Sequence, residues 1–195
     1  MYIWLAVMAL AVFLDQITKY LTVLYLKTVD TVPLWEGVLH LTYVENPGAA
    51  FGMMKDSRWF FMIVSTVAIL GILGYMLVKK PTDRIECLSL SFIVGGGIGN
   101  MIDRVALGYV VDMIDFRLIN FAVFNVADSF VCIGAGLMLL WVIRSMIAET
   151  RAEKQAAVAS ASANADEIAD EIADEITDEI TDEVAEEETD EREHE

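Results

Sequence analysis

Long apolar runs separated by short polar breaks set the rhythm of the chain. Residues 3–26 are apolar apart from Asp15, Gln16 and Lys19 in mid-run, and Trp59 to Val78 holds no charge over twenty positions before Lys79-Lys80-Pro81 closes it. Asp83-Arg84 open a third run, 85–102, and residues 118–143 form a fourth whose only charge is Asp128. A helix needs about 20 apolar residues to cross the hydrocarbon layer of a bilayer, so the pattern predicts four spans. Proline cannot continue a helix interior, which makes Pro81 a stop for the second.

The texture changes between 28 and 57. Pro33, Trp35, the alternating Leu39-His40-Leu41-Thr42-Tyr43-Val44 and the turn-rich Asn46-Pro47-Gly48 predict a short strand or hairpin on the membrane surface. Trp35, Tyr43, Phe51 and Trp59 suit that interface, where a ring has one apolar and one wet side. His40 reads as a polar strand position without a catalytic role, and the stretch from Asp103-Arg104 to Arg117 as a short amphipathic link. Gly95 and Gly99, in GxxxG spacing, predict close helix approach; the glycine run lacks the G-x-G-x-x-G spacing and strand context of a dinucleotide site. The expected fold class is all-α integral membrane: a four-transmembrane-helix bundle with a small β-type extracytoplasmic segment between helices 1 and 2.

Composition sharpens this picture at the C-terminus. The 195 residues are 56% hydrophobic with a net charge of −17, and a mean hydropathy of +0.50. Residues 1–149 carry 12 acidic and 10 basic residues, whereas 150–195 carry 18 and 3. The expected organisation is therefore a membrane domain over 1–149 and an acidic tail over 150–195. From Ala165 the tail repeats Ala/Thr-Asp-Glu-Ile/Val five times. A four-residue period overshoots 3.6 and each unit adds two like charges, which predicts a solvated, disordered segment. A basic footprint for nucleic acid is absent. Cys87 and Cys132 stand alone in apolar runs and read as small core hydrophobes. His40 and His194 are too far apart to build a metal cluster, so neither metal nor cofactor is expected. Six Lys/Arg (Lys79, Lys80, Arg84, Arg144, Arg151, Lys154) against four (Lys27, Lys55, Arg58, Arg117) predict that both termini are cytoplasmic. Asn46, Asn100, Asp103, Asp112 and Asp128 then all lie near the outer face.

Ionisable residues inside a membrane are expensive and mark function. Asp15 and Lys19, at i,i+4, share a helix face; they either satisfy each other toward the bundle interior or serve the site directly. The run ending in Asn100, Asp103 and Arg104 is followed by Asp112 and Asp115, and a second acidic run holds Asn125 and Asp128. Two aspartates meeting from different elements make a hydrolytic pair: one carboxylate deprotonates water while its protonated neighbour polarises a carbonyl. The plainer alternative is that each aspartate pairs with Arg104 or Lys19 to hold the bundle. A small ion or proton transporter is the rival function, but the halves show no internal repeat. A structural adaptor would not need two membrane-edge aspartates flanked by asparagines.

Five blocks in order, Asp15-Gln16-x-x-Lys19, Asn46-x-Gly48-x-Ala50-Phe51-Gly52, Gly96-Gly97-x-Gly99-Asn100-x-x-Asp103-Arg104, Val110-Val111-Asp112-x-Ile114-Asp115-Phe116 and Phe124-Asn125-x-Ala127-Asp128-Ser129, resemble bacterial lipoprotein signal peptidase, the type II signal peptidase. The resemblance implies a membrane aspartic endopeptidase of the bacterial inner membrane that cleaves prolipoproteins before a diacylglyceryl-modified cysteine, near the outer face. It assigns catalysis to Asp112 and Asp128. Asn46, Gly48, Asn100, Asp103, Arg104, Asn125, Asp15 and Lys19 become substrate-binding or supporting residues, with Arg104 suited to substrate carbonyls or phospholipid head groups. It further implies a monomer whose partners are prolipoprotein substrates and membrane lipid. Members of that family end soon after the fourth helix, so the tail from Thr150 lies outside the resemblance.

Overall fold

The computed structural model describes residues 2–48 and 58–193, with backbone alone at 163 and from 165 onward. Ala50, Phe51, Gly52 and Lys55, which figured in the motif, the interface aromatics and the charge count, lie outside the described residues. The helices are α1 (Tyr2–Tyr25), α2 (Arg58–Lys79), α3 (Arg84–Ala106) and α4 (Val126–Glu193); the strands are β1 (Thr31–Trp35), β2 (Leu39–Asn46) and β3 (Val110–Phe116). Each helix contains a stretch long and apolar enough to span a membrane. Their outward residues, such as Phe13, Ile63, Val67 and Leu139, are more than half exposed. Apolar exposure on this scale is tolerable only against lipid.

The buried positions invert a soluble core. Met8, Met76, Leu90 and Val94 form an apolar cluster, but Asp15, Lys19, Asp103, Asp112 and Asn125 are buried as well. Glycines allow the α1–α3 contact that encloses these groups: a Cβ on Gly95 would sit 2.8 Å from Ala11 Cβ, and one on Gly99 would sit 2.5 Å from Asp15 Oδ2. Asp83 starts α3 by accepting from the backbone N–H groups of Ile85 and Glu86, an N-cap of the usual kind.

The predicted hairpin is β1 and β2, turning at Gly37, whose φ of +71° favours glycine. Pro33 is accommodated because β1 is an edge strand. The sheet order is β1-β2-β3, antiparallel throughout. Its third member corrects the sequence reading. The expected amphipathic link between Asp103-Arg104 and Arg117 contains a strand buried at five of its first six positions, Ile114 being half-buried. Near-complete burial erases the alternation by which a strand is recognised.

The fourth helix starts later than expected. Leu118 does not begin a span: Arg117–Ile119 is a short 3₁₀ turn ended by Asn120 in the left-handed region, φ 54°, and Phe124 bridges back to Ile114. Two asparagines, residues that favour turns and caps over helix interiors, account for the delay. At the other end α4 is helical through the acidic repeats to Glu193, where the sequence predicts disorder. Beyond Gly136 the chain has no glycine or proline, and Ala and Glu are strong helix formers. The chain divides into two compact units, Met1–Val142 and Ile143–Glu195, a boundary seven residues before the expected 149/150. The first holds α1–α3, the sheet and the start of α4; the second is helical.

Candidate active site

The bridge at Phe124 builds the site. Phe124 O accepts from Met113 N and Ile114 N, and Phe124 N donates to Ile114 O at 3.1 Å. Asn125 is thereby laid alongside Asp112: its Nδ2 donates to Asp112 Oδ1 at 2.7 Å. The same residue caps α4. Asp128 N donates to Asn125 Oδ1 at 2.9 Å, and Asn125 N donates to Asp128 Oδ2 at 3.2 Å. This reciprocal pair is a capping box with an aspartate as its acid. One asparagine therefore orients both aspartates.

Further amides complete the arrangement. Asn46 Nδ2, from the end of β2, donates to Asp112 Oδ2 at 2.9 Å, and Asn100 Nδ2, from α3, donates to Asp128 Oδ1 at 2.7 Å. All four carboxylate oxygens of the pair thus accept from an amide or a backbone N–H. Gly48 N donates to Asn46 Oδ1 and sets the direction of that amide.

Asp112 is 1% exposed. Burial drives its carboxyl up, and the Asp128 charge adds to the rise; hydrogen bonds from Asn46 and Asn125 and the Lys19 charge oppose it, leaving a pKa of about 6. Asp128 lies in the first turn of α4 and is half-buried. Two neighbouring carboxyls in unlike settings can divide the acid and base roles.

Both aspartates line a cavity of about 540 Å³ with Asn46, Gly48, Asn100, Arg104 and Ser129. Its remaining wall is apolar, from Phe61, Val110, Phe121, Val123, Phe124 and Val131. The Arg104 guanidinium lies 5.3 Å from the Phe61 ring centroid and donates to Gly48 O at 3.3 Å.

The predicted site residues come together, with some changes of partner. Asp103 bonds not with Arg104 but with Lys19, at 3.1 Å, and it accepts from Val111 N at 3.0 Å and from Gln16 Nε2. Lys19 also pairs with Asp15 at 2.9 Å, so the i,i+4 ion pair faces inward. Cys87 is buried as expected, whereas Cys132 is exposed and lines the cavity; one helical turn from Asp128, it shares that residue's face. His40 is buried, 3% exposed, and its Nε2 accepts from Gly37 N. Asp115, three residues further along β3, stands apart from the pair. Its carboxyl, which burial would raise, is instead held below the usual range by Arg117 and by the Thr42 hydroxyl, which marks a structural anchor of the sheet. The residue that sequence reasoning undervalued is Asn125: the spacing Asn-x-x-Asp before an apolar run is a cap signal, and it was available.

Four apolar helices, an inward-facing polar cluster and an aspartate pair on an apolar-walled cavity fit a multi-pass membrane hydrolase. Residues 7–144 match the family described as signal peptidase (SPase) II. The chain is 50% identical over 131 residues to a lipoprotein signal peptidase of Caldanaerobacter subterraneus subsp. tengcongensis, covering 67% of this chain and 89% of the relative. Against the lipoprotein signal peptidase of a Nostoc species it is 48% identical over 141 residues, covering 70% and 86%. A solved bacterial membrane enzyme superposes with a TM-score of 0.70 at 28% identity, covering 75% of this chain and 90% of that one. The chain belongs to the signal peptidase II family. Nothing in these comparisons favours the transporter.

Proposed function

We propose that Asp112 and Asp128 carry out the hydrolysis by which this signal peptidase II removes signal peptides from prolipoproteins. The observation that carries this reading is the shared Asn125, which hydrogen-bonds both aspartates at the wall of one cavity. Asp128, as carboxylate, takes a proton from water; the water oxygen attacks the scissile carbonyl carbon, and the Asp112 proton passes to the carbonyl oxygen. In the second half the proton on Asp128 goes to the leaving nitrogen, the C–N bond breaks, and Asp112 recovers its proton. Asp112 is buried and Asp128 half-buried, a setting of lowered dielectric in which fixed donors act most strongly.

The substrate cysteine carries a diacylglyceryl group, and the apolar wall of Phe61, Phe121, Phe124 and Val131 suits acyl chains entering from the lipid. Arg104 faces the same space and would bind substrate carbonyls or a phospholipid head group. The protein acts as a monomer in the cytoplasmic membrane, with both termini inside and the site near the outer face; the Lys/Arg distribution supports this orientation. Asn46, Gly48, Asn100, Asn125, Asp103, Asp15 and Lys19 hold the pair and the cavity in shape. The test is cleavage of one prolipoprotein by purified protein, with and without the diacylglyceryl group. Only the lipidated form should be cut, before its cysteine; equal cleavage of both forms would refute the substrate assignment.

A further inference from the structure

Asp112 and Asp128 come from a strand and a helix that do not follow directly in sequence, so something must fix their separation. A primary ammonium has three donors. Those of Lys19 meet Asp15 Oδ2 at 2.9 Å, Asp103 Oδ2 at 3.1 Å and Asn100 Oδ1 at 2.9 Å. Each acceptor holds a different part of the site. Asp15 accepts from Ala127 N at 2.9 Å with its other oxygen, which pins the start of α4 beside Asp128. Asp103 accepts from Val111 N, the residue before Asp112. Asn100, its oxygen occupied by Lys19 and by Asn125 Nδ2, must turn its own amide nitrogen to Asp128 Oδ1.

We propose that Lys19 is the positioning residue of the aspartate pair, one buried ammonium that sets the backbone of both aspartates and the amide orientation between them. This rests on reading Asp112 and Asp128 as the catalytic pair. A lysine that only neutralised Asp15 would need one contact, within α1. Two of the three reach across to α3, and both lead on to the pair. Misplacement of catalytic groups by about 1 Å costs on the order of 10²-fold in rate, so the effect belongs in turnover and not in binding.

The full-length protein is purified as Lys19→Met, which keeps the stem, as Asp15→Asn/Lys19→Met, which also removes one of the two carboxylates left without their partner, and as Asp112→Asn. Cleavage of a diacylglyceryl-modified prolipoprotein is followed across pH, with thermal unfolding in detergent as the fold control. For both lysine variants kcat should fall by about 30-fold or more with KM within about twofold. The limb of the pH profile governed by Asp112 should move to higher pH, because the Lys19 charge holds that carboxyl down. The other charged groups around it, Asp128 from α4 and Asp103 and Arg104 from α3, are unchanged in sequence in both lysine variants. A folded lysine variant with kcat within about threefold of the parent, or a rate loss with an unmoved pH profile, would overturn the proposal. Loss of cooperative unfolding in both lysine variants would do the same, by making the role structural. Cleavage retained in Asp112→Asn but lost in Lys19→Met would instead sink the assignment of the pair.

Discussion

Asp112 is held in a contradiction that serves its chemistry: it is almost fully buried, yet both its oxygens accept from amides. Its carboxyl is raised to about 6, above the roughly 3.9 of an unfolded chain. The protonated form therefore contributes stability that is complete below about pH 4 and is lost as pH rises through about 6. Thermal unfolding in detergent should show a midpoint that falls between pH 4 and pH 8, and Asp112→Asn should flatten the fall; an equally steep fall in the variant would place its origin elsewhere. At this scale the sequence was informative about which residues matter and less so about partners. Asp103 and Arg104 are adjacent, but in a helix neighbours in sequence point about 100° apart. Asp103 thus turns to Lys19 while Arg104 turns to the cavity.

Elements were legible where apolar runs were long. The spans of α1, α2 and α3 agree with their charge-free or inward-charged runs to within a few residues. The strand β3 was hidden because two aspartates interrupt a run buried on both faces, and only its pairing with β2 and Phe124 makes it a strand. What brings α1 and α3 together is the absence of side chains at Gly95 and Gly99. A methyl on Gly99 would collide with Asp15 Oδ2, whereas one on Gly136 of α4 meets nothing within 4 Å. Gly99→Ala should lower both the unfolding midpoint and turnover by displacing the Asp15–Lys19 pair, with a cost in the roughly 1–3 kcal/mol range of overpacking. Gly136→Ala should leave both within error. Equal behaviour of the two would mean that the helix crossing does not constrain the site.

For the whole molecule, the proposed orientation, with both termini inside, would have residues 107–109 outside and Thr82 inside. In a background without Cys87 and Cys132, a cysteine at Leu107 should react with an impermeant thiol reagent on intact cells and one at Thr82 should not; labelling of Thr82 would reverse the orientation. Among the described residues, those lining the cavity lie between 46 and 132, within the unit that ends at Val142. Truncation after Lys154 should therefore keep cleavage within about twofold, and a large loss in a truncated protein that inserts normally would give the tail a part in catalysis. Catalysis, as proposed, rests on the aspartate pair. The direct test is single-turnover cleavage of a diacylglyceryl-modified prolipoprotein by folded Asp112→Asn, Asp128→Asn, the double variant and Asp103→Asn. Either single change in the pair should cost roughly 10²–10⁴-fold, and the double little more than one, because the two act as a unit. Asp103→Asn should lose less, together with stability. Near-normal turnover of folded Asp112→Asn beside a folded but inactive Asp103→Asn would contradict the account and move the catalytic role to Asp103.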